Sequence, residues 1–114
     1  ARVLHPAFDE CPGHEFWMRD FSGASGLFGV ELQPEMPVSA MHDMIDALAL
    51  FGLGASWGGY ESLVLPTTGG IRRNIPGGLP QGPAFRLHIG LEDVDELIAD
   101  LDGGLAVLRA SWAG

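Results

Sequence analysis

Apolar positions along the chain fall at two spacings, and each spacing predicts a kind of element. Val38, Met41, Met44, Ile45, Leu48 and Phe51 recur every three or four residues, the spacing of one helix face. Pro37 opens this segment, where a missing N–H costs nothing, and Gly52 and Gly54 are expected to end it. Val94, Leu97, Ile98, Leu101, Leu105 and Leu108 predict a second, longer helix. Asp93 and Glu96 have the spacing of a capping box at its start. Glu92, Asp93, Asp95 and Glu96 crowd the end where the helix dipole favours negative charge.

Between these helices lie short apolar runs bounded by turn residues. Residues 1–4, 27–32, 62–65 and 84–89 read as strands, stopped in turn by the Pro- and Gly-bearing loop 5–13, by Pro34, by Pro66 and by Gly90. Residues 15–20 form a short helix with Phe16 and Trp17 as its apolar part. The order is strand, short helix, strand, helix, strand, strand, helix. That order predicts an α/β fold of the two-layer α+β kind, with two amphipathic helices on one face of a small, mostly antiparallel sheet of about four strands. Residues 55–60 are glycine-rich and irregular. Residues 67–82, with five Gly and two Pro, form a long loop.

Composition narrows the possibilities. At 114 residues, 1–114 is expected to be a single domain, and 46% hydrophobic against 18% charged residues predicts a packed core. The formal net charge of -9 disfavours nucleic acid and anionic membrane as partners. No stretch is long and apolar enough to span a bilayer, and no signal-peptide pattern opens the chain. The lone Cys11 excludes an intrachain disulfide and suits a cytoplasmic location; between Asp9 and Glu10 it makes a poor nucleophile. Ala1-Arg2-Val3-Leu4 enters a strand with no Met before it, so a piece of a larger protein is expected.

Arg86 carries the most chemistry. Its neighbours Phe85, Leu87 and Ile89 are apolar, so its guanidinium needs a partner. That partner is either a carboxylate of the protein or the carboxylate of a ligand held in a two-point fork. His88 falls on the same side of the strand and reads as a structural histidine. Gly54-Ala55-Ser56-Trp57-Gly58 matches G-x-S-x-G, but a nucleophile elbow needs a strand before the serine and a helix after it, and the reverse is predicted here. The glycines instead let backbone approach closely, with Trp57 as a wall. The four histidines show no metal-ligand spacing, and Arg72-Arg73 read as a solvated turn.

Ser56-Trp57-Gly58-Gly59-Tyr60-Glu61-Ser62-Leu63, followed by Arg86-Leu87-His88-Ile89-Gly90-Leu91-Glu92-Asp93, resembles the C-terminal domain of the cysteine/methionine-metabolism enzymes that use pyridoxal phosphate, of fold-type I. Val3-Leu4-His5-Pro6, Gly13-His14-Glu15-Phe16-Trp17, Arg19-Asp20-Phe21, Ser25-Gly26-Leu27-Phe28 and residues 95–101 extend the resemblance over nearly the whole chain. The tryptophan of Ser-Trp-Gly-Gly is similar to the bacterial cystathionine β-lyase branch.

The resemblance implies a C-terminal lobe of a larger, homo-oligomeric carbon–sulfur lyase. That enzyme would convert the sulfur amino acid cystathionine to homocysteine, pyruvate and ammonia. It implies that Arg86 grips the substrate α-carboxylate and that Ser56 and Trp57 complete the grip. Ala55 departs from the Tyr often found there in such enzymes and opens the pocket wall. The family chemistry also needs a lysine to carry the cofactor, and this chain has six Arg and no Lys. The missing large domain is therefore expected to hold the cofactor, and the chain alone to hold none, bind no metal and catalyse nothing. The rival reading is a stand-alone α/β module that binds an amino acid or a protein partner.

Overall fold

Alternate residues along each strand point to opposite sides of the sheet, one covered by helices and the other not. The computed structural model describes residues 1–112. Its elements are β1 (Arg2–Leu4), α1 (His14–Asp20), β2 (Leu27–Glu31), α2 (Val38–Ala47), β3 (Gly52–Leu53), β4 (Leu63–Pro66), β5 (Ala84–His88) and α3 (Val94–Ser111). The strands form one sheet in the order β1-β2-β5-β4-β3, antiparallel except for the β3–β4 pair.

In β5, Leu87 lies between Phe28 of β2 and Val64 of β4, and Phe85 between Val30 and Pro66. Phe28, Val30, Val64, Phe85 and Leu87 join Met41, Met44 and Ile45 of α2 and Leu97 and Leu108 of α3 in one core. Burial of such side chains, at roughly 25 cal/mol per Å² of apolar surface, holds the two layers together. The alternate residues Ala84, Arg86 and His88 point to the other face.

The sheet has five strands, not about four. The extra strand, β3, comes from residues expected to end α2. That helix stops at Ala47, and Leu48 is already extended at φ -71°, ψ 132°. Phe51 stays buried and Leu48 stays packed against the core, although neither is helical. The Asp100 carboxylate of α3 draws the chain away from the helix: it accepts from the N–H groups of Ala49 and Leu50, both at 2.8 Å, and of Phe51 at 3.4 Å. The released chain then pairs Gly52 with Leu63 and Leu53 with Val64.

α3 begins as its sequence predicts, with the Asp93 side chain accepting from the Glu96 N–H at 3.1 Å. Its apolar stripe is narrower than the spacing suggested, since Val94 and Ile98 are exposed and the buried residues are Leu97, Gly104 and Leu108. Gly104 brings α3 against α2: a Cβ there would lie 2.7 Å from Leu48 Cδ2 and 3.3 Å from Met44 Cγ.

Candidate functional site

Parallel neighbours such as β3 and β4 require a crossover, because the chain must return to its starting end. A helix normally supplies it. Here β3 is two residues long, and the glycine-rich segment 54–62 makes the return without one. It bonds to Arg86 and His88, so it runs over the face of the sheet that the helices leave bare.

The contacts lace this crossover to residues 86–92. Arg86 Nη2 donates to the Ala55 carbonyl at 2.5 Å. The Gly58 N–H donates to His88 Nδ1 at 3.4 Å, and His88 Nε2–H donates to the Gly59 carbonyl at 3.0 Å. The Leu91 N–H donates to the Tyr60 carbonyl at 2.8 Å. Ser62 is fully buried; its N–H and Oγ–H donate to the two oxygens of Glu92 at 2.9 and 2.8 Å, while its Oγ accepts from the Gly90 N–H at 2.8 Å. These bonds to the Glu92 carboxylate hold it below the usual carboxylate range. Gly90 is required here, since a Cβ would lie within 2.3 Å of the Tyr60 carbonyl oxygen.

Arg86, Ser56 and Trp57 thus occupy one neighbourhood. Arg86 is half-buried between Gly29 and Leu65, and Ser56 and Trp57 are exposed on the crossover just beyond the carbonyl that Arg86 holds. The first alternative for Arg86, pairing with a protein carboxylate, is not found: among the described residues its guanidinium makes no ion pair. One of its five N–H donors is used on a neutral carbonyl. An apolar groove of about 270 Å³ is lined by Arg86 together with Leu4, Leu27, Gly29, Ile71 and Ala84; Ser56 and Trp57 do not line it. His88 bonds to the crossover rather than to the core.

Two features of the site were not legible in the sequence. Glu92 reads as one of four helix-end acids, yet it binds Ser62 across 30 positions. Asp100 drew no separate reading from the sequence, yet its carboxylate accepts from the N–H groups of Ala49 and Leu50, just past the end of α2. The one signal for the first was Gly90, placed between an apolar strand and an acid. Among the described residues no cluster of His, Cys, Asp or Glu could hold a metal, and no helix is long and apolar enough to cross a membrane.

This fold is one found inside enzymes of amino-acid metabolism. The solved cystathionine gamma synthase of Xanthomonas oryzae pv. oryzae, in complex with aminoacrylate and cysteine, has a TM-score of 0.83 against this chain, at 29% identity over 97% of this chain and 30% of that one. The cystathionine beta-lyase of Escherichia coli K12 is 48% identical over 112 residues, covering 93% of this chain and 28% of that protein. The L-alanine/L-glutamate racemase of Wolbachia pipientis wMel is 41% identical over 108 residues, covering 94% of this chain and 27% of that protein. The family described as Cys/Met metabolism PLP-dependent enzyme matches residues 1–106, and the chain belongs to that family. It spans little more than a quarter of the length of these relatives.

The family's cofactor is pyridoxal phosphate, and the residues present here do not fit it. The chain has no lysine to supply the reactive amine. Among the described residues no buried side-chain polar atom lacks a hydrogen-bond partner. What the chain does present on this face is the Arg86 cation, without an ion-pair partner among the described residues.

Proposed function

We propose that residues 1–114 form the C-terminal substrate-recognition lobe of a pyridoxal-phosphate-dependent carbon–sulfur β-lyase. In this reading Arg86 binds the substrate α-carboxylate, and the Ser56–Trp57 backbone closes over it. The intact enzyme would break the Cβ–S bond of cystathionine with loss of the α-proton and release homocysteine. Uptake of water would convert the three-carbon remainder to pyruvate and ammonia. The lobe's part is orientation: it holds the carboxylate so that the Cα–H bond keeps one angle, worth roughly several kcal/mol of barrier lowering in well-held systems. With no lysine, the chain by itself would catalyse nothing. The intact enzyme is expected to be a cytoplasmic homo-oligomer.

The observation that carries this reading is Arg86 itself, a half-buried guanidinium tethered to the Ala55 carbonyl with no ion-pair partner among the described residues. The racemase relative supports a second reading of the parent reaction, because removing an α-proton from a carboxylate-anchored amino acid serves that chemistry too. The test is Arg86→Ala in the full-length enzyme, assayed with L-cystathionine and with L-alanine. Loss of a fork of charge-assisted hydrogen bonds, each about 1.5–3 kcal/mol, should raise KM roughly 10- to 100-fold with cofactor content unchanged. Unchanged KM would remove the clamp assignment. Turnover of L-alanine without cleavage of L-cystathionine would favour the racemase reading.

A further inference from the structure

Ser56 and Trp57 lie between two anchors. Arg86 holds the carbonyl of the residue before them, and the His88 imidazole holds the N–H of Gly58 and the carbonyl of Gly59 just after them. The two anchors are alternate residues of β5, about 7 Å apart along the strand on the face that the helices do not cover. Among the described residues, no other side chain hydrogen-bonds to residues 56–59.

His88 is buried while Trp57, Gly58 and Gly59 are exposed, so the ring is a fixed point and the crossover is the part that needs holding. One tautomer satisfies both contacts: Nδ1 accepts and Nε2–H donates. Gly58 has φ +85°, the left-handed region, and that turn aims its N–H at the ring. Phenylalanine would fill the same space with neither bond. Asparagine can restore only the acceptor and glutamine only the donor.

We propose that His88 is a positioning residue for the carboxylate clamp: it sets the Ser56–Trp57 backbone opposite Arg86 without touching the substrate. This rests on the clamp reading above. His88→Phe, His88→Asn and His88→Gln would be made in the full-length enzyme beside Arg86→Ala, with kcat and KM for L-cystathionine, cofactor content and thermal midpoint measured for each. Loss of both bonds in His88→Phe should raise KM roughly 10-fold. In that variant kcat should stay within about three-fold of wild type and the cofactor should be retained. His88→Asn and His88→Gln, each keeping one bond, should recover part of that KM.

An unchanged KM in His88→Phe, where Arg86→Ala does raise KM, overturns the His88 role and leaves the clamp standing. Equal losses in all three His88 variants, accompanied by loss of cofactor or of folded protein, would show a purely structural histidine and also overturn it. An unchanged KM in Arg86→Ala removes the clamp and the His88 role together. If His88→Phe does not fold, the asparagine and glutamine variants carry the same comparison.

Discussion

Gly103 and Gly104 are neighbours in the middle of α3, and they should respond oppositely to the same substitution. In an exposed helix interior, Gly→Ala is worth about 0.8–1 kcal/mol of stability through helix propensity alone. A Cβ at Gly103 meets nothing within 4 Å, so Gly103→Ala should gain about that amount. A Cβ at Gly104 would lie 2.7 Å from Leu48 Cδ2, 3.3 Å from Met44 Cγ and 3.4 Å from the Met44 carbonyl oxygen. Carbon atoms pack at roughly 3.5–4.0 Å, so the Leu48 methyl must retreat by about 1 Å and α2 must shift or repack. Overpacking of this kind costs about 1–3 kcal/mol, which cancels or outweighs the propensity gain.

The two variants should therefore differ by about 1–3 kcal/mol in urea-unfolding stability, with Gly103→Ala above wild type and Gly104→Ala at or below it. Leu48→Ala removes the nearest obstacle, so it should rescue Gly104→Ala with a coupling of about 0.5 kcal/mol or more. Gly104→Ala as stabilising as Gly103→Ala would refute the idea that a close α2–α3 approach requires this glycine.

Two further outcomes concern the lacing of the crossover. Gly90→Ala drives a Cβ against immovable backbone at Tyr60–Ser62 and should cost roughly 2–4 kcal/mol, seen as a lower denaturation midpoint and faster proteolysis within 54–62. Glu92 has its carboxylate pKa held below the ordinary value of 4.5 by the Ser62 N–H and hydroxyl, and Glu31 likewise by the Gln81 N–H and then Arg2. A folded value below the unfolded one stabilises the protein above the unfolded value, and that stability is lost as pH falls through the folded value. Denaturation midpoints measured downward from neutral pH should therefore fall below about pH 4.5, and less steeply in Glu92→Gln; an identical acid slope would rule out this contribution.

Legibility from sequence followed the range of the interaction. α3 was readable to its cap, because Asp93 and Glu96 are three residues apart and need no distant partner. The apolar spacing of 38–51 picked out Met41, Met44, Ile45, Leu48 and Phe51, which do pack inward, but it missed the buried Ala40, included the exposed Val38 and misjudged where the helix stops, because Leu48 and Phe51 pack inward for reasons unrelated to helicity. The ending is imposed by Asp100, roughly fifty positions away. Arg86 could be singled out because a cation in an apolar strand is costly wherever the strand lies. The clasp of His88 on Gly58 and Gly59 could not, since nothing local says where a glycine-rich segment will run.

The sequence by itself determined the two-layer fold, the buried faces, the family and the candidate residue Arg86, since these rest on periodicity, on desolvation cost and on motifs carried in order along the chain. Only the tertiary structure decided that β3 exists, that Arg86 has no ion-pair partner among the described residues, and that segments some thirty positions apart are bonded together on one bare face of the sheet. The physical reason is the same in each case. A hydrogen-bond partner is chosen by proximity in space, and for segments separated by a β-strand crossover that proximity is set by the packing of the whole domain.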